Sequence, residues 1–240
     1  MTGRALPPSS AFQGDDGSAD PRLAGLLAGH ASGTASLVEV VAALATARVL
    51  VPVLAELEAA DETPDGHVVD KEASAGVVAL EAPDGRRALP VFSSVDTMKA
   101  WRPTARPVPV EAPRAALSAV SEDWSLLVVD PAGPFTVLVP RPAVWALAKG
   151  LSWSPAVVDG VVADDVVEAI RLAAAPVAHV LKVGAEPGRR AEVAVALTLD
   201  AGLDRANLDK TLAAVNARLA ASDVIGERVD SLEMRISAGR

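Results

Sequence analysis

Ser93 and Ser94 stand directly ahead of a short helical run, and two hydroxyls beside the free N–H groups of a helix start are chemistry suited to an anion. The competing reading makes Ser93 a helix cap, with Asp96 three residues later in the capping-box position. In the same run Trp101 and Arg102 set a guanidinium beside an aromatic ring, residue types that dominate protein interfaces. Their alternative role is to anchor the core. The candidate binding residues are therefore Ser93, Ser94, Trp101 and Arg102.

The other reactive side chains form no constellation. His30, His67 and His179 lie far apart, and His179, between Ala178 and Val180 in an expected strand, lacks a neighbouring nucleophile or carboxylate motif. It reads as a packed or surface histidine. Asp61, Glu62, Asp65 and Asp70 surround Gly66, but their spacing is not that of an EF-hand loop, so they read as a solvated acidic run. The segment Gly150 to Ser154, GLSWS, lacks the closing glycine of a nucleophile elbow, and the chain holds no P-loop, G-x-G-x-x-G or H-E-x-x-H. No catalytic residue, metal site or cofactor is assigned.

The elements around these residues follow from caps, turns and periodicity. Residues 1–19, rich in proline, serine and glycine, read as a mobile arm. Asp20-Pro21 starts one helix and Ser36 with Glu39 caps a second, after which RVLVPVLAEL is a strand whose Pro52 points to an edge or bulge. APDGR joins a hairpin between Gly76 to Glu81 and Arg87 to Phe92. A helix through Trp101, the extended RPVPVEA and a helix from Pro113 come next. Ser125 to Asp130 and Phe135 to Val139 are apolar strands around PAGP, and a helix from Pro140 ends at Gly150.

Residues 20–150 then form one α+β domain with helices on a mixed sheet, 151–163 a linker, and 164–240 a smaller α-β-β-α-β domain. In the second domain Asp164 and Asn207 are expected caps, and Leu208, Leu212, Val215 and Leu219 form an apolar helix face. In the final strand Leu232, Met234 and Ile236 alternate with Glu233 and Arg235. If that strand lies at a sheet edge, antiparallel pairing with a second copy sets Glu233 near Arg235 of its neighbour; if it is central, no homodimer follows.

Composition narrows the function. Half of the 240 residues are hydrophobic and only 3% aromatic, with neither cysteine nor tyrosine, which excludes disulfides, thiolate nucleophiles and cysteine-type metal centres. The formal charge of −9 argues against a nucleic-acid partner. The most apolar run, Val40 to Leu57, contains Arg48 and Pro52, and a central arginine costs roughly 2.5–3.5 kcal/mol in a membrane, so no membrane span is expected. With no export signal in the first residues, the expected location is the cytoplasm.

The order DDGSADPRLAGLL, ARVLVPVLAELE, DGRRALPVFSSVDTMKAWRPTARPVPVEA, LLVVDPAGPFTVLVP resembles the SseB-like proteins, chiefly their high-GC Gram-positive branch. The resemblance covers roughly Asp15 to Gly150, and it implies an α+β domain without established catalytic residues. Two function classes follow. The leading one is a non-enzymatic protein-interaction or regulatory protein. The alternative is a small-molecule or anion-binding protein, with enzymatic activity left open, using the cleft between its domains.

Overall fold

The computed structural model describes residues 12, 14–54, 78–82 and 84–239. The acidic run from Asp61 to Asp70, with His67, lies outside them. The fold is α+β, and the chain divides into two compact units, one made of Met1–Val139 with Leu147–Leu151 and the other of Pro140–Ala146 with Ser152–Arg240. No helix among the described residues is long and apolar enough to cross a membrane.

The first unit opens with α1 (Pro21–Ala31), whose Asp20 cap accepts the Leu23 N–H at 2.9 Å, and α2 (Leu37–Leu44), where Ser36 and Glu39 form a reciprocal capping box. Each buries an apolar stripe, Leu23 and Leu27 on α1 and Val40, Val41 and Leu44 on α2. Then come β1 (Arg48–Val53), β2 (Leu80–Glu81), β3 (Arg87–Val91), α3 (Val95–Trp101), β4 (Arg106–Glu111), α4 (Ala112–Ser121), β5 (Leu126–Val129) and β6 (Val137–Val139). Four strands form a mixed sheet in the order β2-β3-β5-β6, with β3 and β5 parallel and the other pairs antiparallel. Strands β1 and β4 form a separate antiparallel ribbon, linked to the sheet where Leu50 and Phe92 exchange N–H···O bonds of 2.8 and 2.9 Å.

That exchange fixes the ribbon's hydrogen-bonding phase. The Leu50 backbone faces away from β4, so Leu50↔Pro109 and Pro52↔Pro107 are non-hydrogen-bonded pairs. Pro107 and Pro109 then occupy the positions whose N–H groups would face the edge of β4 that has no strand partner among the described residues, and that edge has no donor there to offer another strand. A small core of Leu50, Leu54, Phe92, Met98 and Ala105 fills the space beneath, with Phe92 and Trp101 ring centroids 5.3 Å apart.

Residues 15–18 depart from the expected arm. Arg48 donates to Asp15 Oδ1 at 2.7 Å and to the Ser18 carbonyl at 2.6 Å, and the Val95 N–H donates to the Gly17 carbonyl at 2.8 Å. Composition marked this stretch as unable to bury apolar surface, but a strand arginine holds it by polar bonds. The β5–β6 connection also runs through residues 130–136, longer than the expected PAGP turn.

Helix α5 (Arg141–Lys149) ends at Gly150, which has φ +66°. Its first turn belongs to the second unit: the Arg141 guanidinium donates to the carbonyls of Gly226 and Val229, each at 2.6 Å, and its N–H to Asp230 at 3.0 Å. The stretch expected as a linker holds a small hairpin, β7 (Val157–Val158) and β8 (Val161–Val162), and buries Ala156 and Val162 in the second unit's core. Apolar residues at a turn, rather than length, decide that it is structure.

The rest of this unit is α6 (Asp164–Ala174), β9 (Val180–Pro187), β10 (Val193–Leu199), α7 (Arg205–Ala220), α8 (Asp223–Arg228) and β11 (Leu232–Ala238). The sheet order is β11-β10-β9, with β11 parallel and β9 antiparallel to the central β10. One face packs Val193, Val195, Leu197 and Leu199 against Val166 and Ile170 of α6, Val215 and Leu219 of α7 and Ile225 of α8. Two expected caps move. Ala163 precedes α6 without a side-chain cap bond, Asp164 lying in the first turn, and Asp204 rather than Asn207 caps α7, accepting the Asn207 N–H at 2.8 Å. Helix α8 is an addition to the expected α-β-β-α-β order.

Candidate functional site

Ser93 and Ser94 divide the work that the sequence assigned to Ser93. Ser94 caps α3, accepting the Thr97 N–H at 3.1 Å, with the Thr97 hydroxyl reaching back toward the Ser94 N–H at 3.3 Å. Ser93 turns inward to Asp130, donating its N–H at 2.8 Å and its hydroxyl at 2.6 Å. The Thr97 hydroxyl also lies 2.7 Å from Asp130 Oδ1. Asp130 is 4% exposed and sits at φ +48°, in the left-handed region that aspartate tolerates better than most residues. A carboxylate facing three donors is a satisfied buried charge.

This node joins the end of β3, the start of α3 and the end of β5. The donors that an anion at Ser93 and Ser94 requires are therefore engaged inside the protein, and Asp130 places negative charge beside them. No spacing rule links residues 93 and 130; the only sequence signal is an aspartate ahead of Pro131 at the end of an apolar strand.

Trp101 is half-buried against Phe92, and the Arg102 guanidinium lies 5.3 Å from its ring centroid, exposed at the end of α3. The two expectations for Trp101 thus meet in one residue, core on one side and an arginine-stacked surface on the other. Trp124 is buried, whereas Trp145 is 42% exposed.

His179 is not in the strand. It occupies a turn before β9 at φ +70°, with Nδ1 3.0 Å from Asp200 Oδ2, and both side chains are exposed. The Asp200 carboxylate, 21 residues away, comes beside it because β9 and β10 are hairpin partners. Among the described residues no group of three or more histidine, cysteine or acidic side chains is placed to hold a metal ion.

Among the described residues of the first unit there is also a groove that residue motifs do not mark. Period-two alternation puts Val51 and Val53 of β1 and Val108 and Val110 of β4 on one ribbon face. Helix α4 brings Arg114, Ala115, Ser118 and Ala119 along one side, at helical spacing, with Glu122 at its C-cap, and Leu89 and Trp124 complete the wall. The result is a groove of about 330 Å³, apolar except along the α4 rim. Val108 is 41% exposed, and Arg114 makes no hydrogen bond or ion pair among the described residues. From the sequence these valines read only as strand formers, because the face they present depends on the ribbon pairing.

Residues 23–146 match the family model described as the SseB protein N-terminal domain. Comparison with curated proteins and with solved structures gives no match.

Proposed function

The chain belongs to the SseB family, and from that premise we propose that it is a non-enzymatic interaction protein whose N-terminal domain takes a short apolar segment of a partner protein, flanked by an acidic residue. The observation that carries this reading is the groove between the β1–β4 ribbon and α4. Its volume of about 330 Å³ lies at the low end for small-molecule sites, which run from about 300 to 1,000 Å³, so it suits one or two apolar side chains better than a cofactor. Arg114 and Glu122 mark its length. Eight residues of helix span about 12 Å, enough for about four residues of extended peptide.

Electrostatics and hydrogen bonding give the partner its character. Arg114 is a cation without an internal partner among the described residues, and it selects an acidic flank. Strand addition to β4 is disfavoured by Pro107 and Pro109, so recognition proceeds through inserted side chains. The hydroxyl and carboxylate groups of the Ser93–Asp130 node are occupied by one another, which supports a binding role over a catalytic one. The same reading places the protein in the cytoplasm, with the charge of −9 favouring protein over nucleic-acid partners.

A displayed random-peptide library, selected on the wild type, on Val108→Asp and on Arg114→Glu, tests the proposal. Wild type enriches peptides with neighbouring apolar residues and a flanking Asp or Glu, Val108→Asp loses that enrichment, and Arg114→Glu shifts the flank to Lys or Arg. Enrichment unchanged by both substitutions overturns it.

A further inference from the structure

The sheet edges of this chain are not equally defended. Strand β4 carries the two edge prolines, β6 has three residues, β2 two, and β9 bears Lys182, Glu186 and Pro187 along an edge whose pairing is irregular at its far end. Strand β11 is seven residues long, contains no proline and, among the described residues, pairs only with β10.

The bonds to β10 set the phase of this edge. The Val193 N–H donates to the Ser231 carbonyl, and the Gly239 N–H to the Leu199 carbonyl. In a parallel ladder the odd residues between them also face β10, so the N–H and C=O groups of Leu232, Met234, Ile236 and Ala238 point outward. None of these four residues has a backbone partner on that side among the described residues. Their side chains lie on the face that packs the helices, where Leu232 and Met234 are partly buried and Ile236 is 48% exposed.

We infer that β11 pairs antiparallel with β11 of a second copy about a two-fold axis at Met234, joining two three-stranded sheets into one of six strands. The charges select this register. Self-pairing must set even residues opposite even ones to use the outward groups. An axis at Glu233 or Arg235 also does so, but it places Glu233 against Glu233 or Arg235 against Arg235 in a closely spaced pair, which is destabilising. An axis at Met234 sets Glu233 of each copy opposite Arg235 of the other, and Leu232 opposite Ile236, which covers the exposed isoleucine.

Within one copy Glu233 and Arg235 already lie 2.8 Å apart, and Glu233 accepts the N–H groups of Arg189 and Arg190, each at 3.0 Å. Both side chains are thereby held on the face opposite the helices, oriented before a second copy arrives. A contact of this kind is isologous and closes on itself, leaving no further edge at β11 to propagate.

The absence of native cysteine makes the register directly readable. In the inferred dimer two Met234 residues form a hydrogen-bonded pair about 5.5 Å apart at Cα, inside the range of about 4.4–6.8 Å that a disulfide spans. Met234→Cys should cross-link under mild oxidation, and Ile236→Cys, whose copies sit four positions out of step, should not. Sedimentation of the wild type should show a concentration-dependent dimer. Glu233→Arg should weaken it about tenfold or more, and adding Arg235→Glu should restore it, by reversing both ends of each cross-strand pair. Circular dichroism on each variant separates loss of pairing from loss of fold. A wild type that is monomeric at high micromolar concentration overturns the inference, as does a dimer that cross-links through Ile236→Cys and not through Met234→Cys.

Discussion

Replacing Asp130 by asparagine tests whether the node under α3 is as important to the first unit as its geometry implies. Asparagine keeps the size of the side chain and tolerates the left-handed backbone, so the change isolates the carboxylate. In the wild type the Ser93 N–H, the Ser93 hydroxyl and the Thr97 hydroxyl lie within 2.6–2.8 Å of the carboxylate oxygens. An amide turns one acceptor into a donor, which removes the Ser93 hydroxyl's bond, and takes away the charge, which weakens the two remaining bonds from the charged to the neutral range; each of these three changes costs about 1 kcal/mol.

The total is about 3 kcal/mol, or roughly 6–15 °C in melting temperature for a folding unit of this size. Urea denaturation followed by tryptophan fluorescence measures it, since Trp101 and Trp124 both report on the first unit. Ser93→Ala and the double variant complete a cycle whose coupling should be about 1 kcal/mol. A loss below about 0.5 kcal/mol for Asp130→Asn, the range of ordinary surface changes, refutes the reasoning.

Ser94→Ala, by contrast, removes a helix cap and a 3.2 Å contact with the Thr97 hydroxyl but leaves the Asp130 carboxylate in place, and should cost about 1 kcal/mol in the same titration. Arg48→Ala releases Asp15 and Ser18 together, and hydrogen exchange at residues 15–18 should rise sharply, whereas unchanged protection would show the stretch to be held by something else. Glu233 is held down at about 2 from its usual 4.5 by the Arg189 N–H, with the Arg235 guanidinium and the Arg190 N–H adding to it. A depressed folded-state pKa contributes stability above the unfolded value and loses it as pH falls through the folded one. The stability gap between wild type and Glu233→Gln should therefore close between about pH 4.5 and about pH 2, and a carboxylate NMR titration of Glu233 should give its midpoint near the lower value.

Local chemistry made most of the fold legible. The capping box at Ser36 and Glu39, the Asp20-Pro21 start and the glycine stop at residue 150 are short-range signals, and each element they bound lies where spacing puts it. The α+β class follows from the same elements. Where two neighbouring residues compete for one role, spacing fails. Ser93 and Ser94 are equivalent in a capping pattern, and only the position of Asp130, 37 residues on, draws Ser93 inward. His179 and Asp200 meet for the same reason, through a hairpin that aligns residues 21 apart.

The groove and the β11 edge depend on pairing phase. One residue of slip in the β1–β4 ribbon would put Val51 and Val108 on opposite faces, and the sequence contains no local mark of that phase. Pro107 and Pro109 do carry the information, but only once Leu50 is known to bond Phe92. At β11, alternation alone gives the side-chain faces, and the neighbours in the sheet give the rest.

Valine methyl spectra of the full chain, titrated with a library-selected apolar peptide carrying an acidic flank, test the groove most directly. Shift changes should concentrate at Val51, Val53, Val108 and Val110 and be lost on Val108→Asp. Changes centred on other valines, with these four unmoved at saturation, would contradict it.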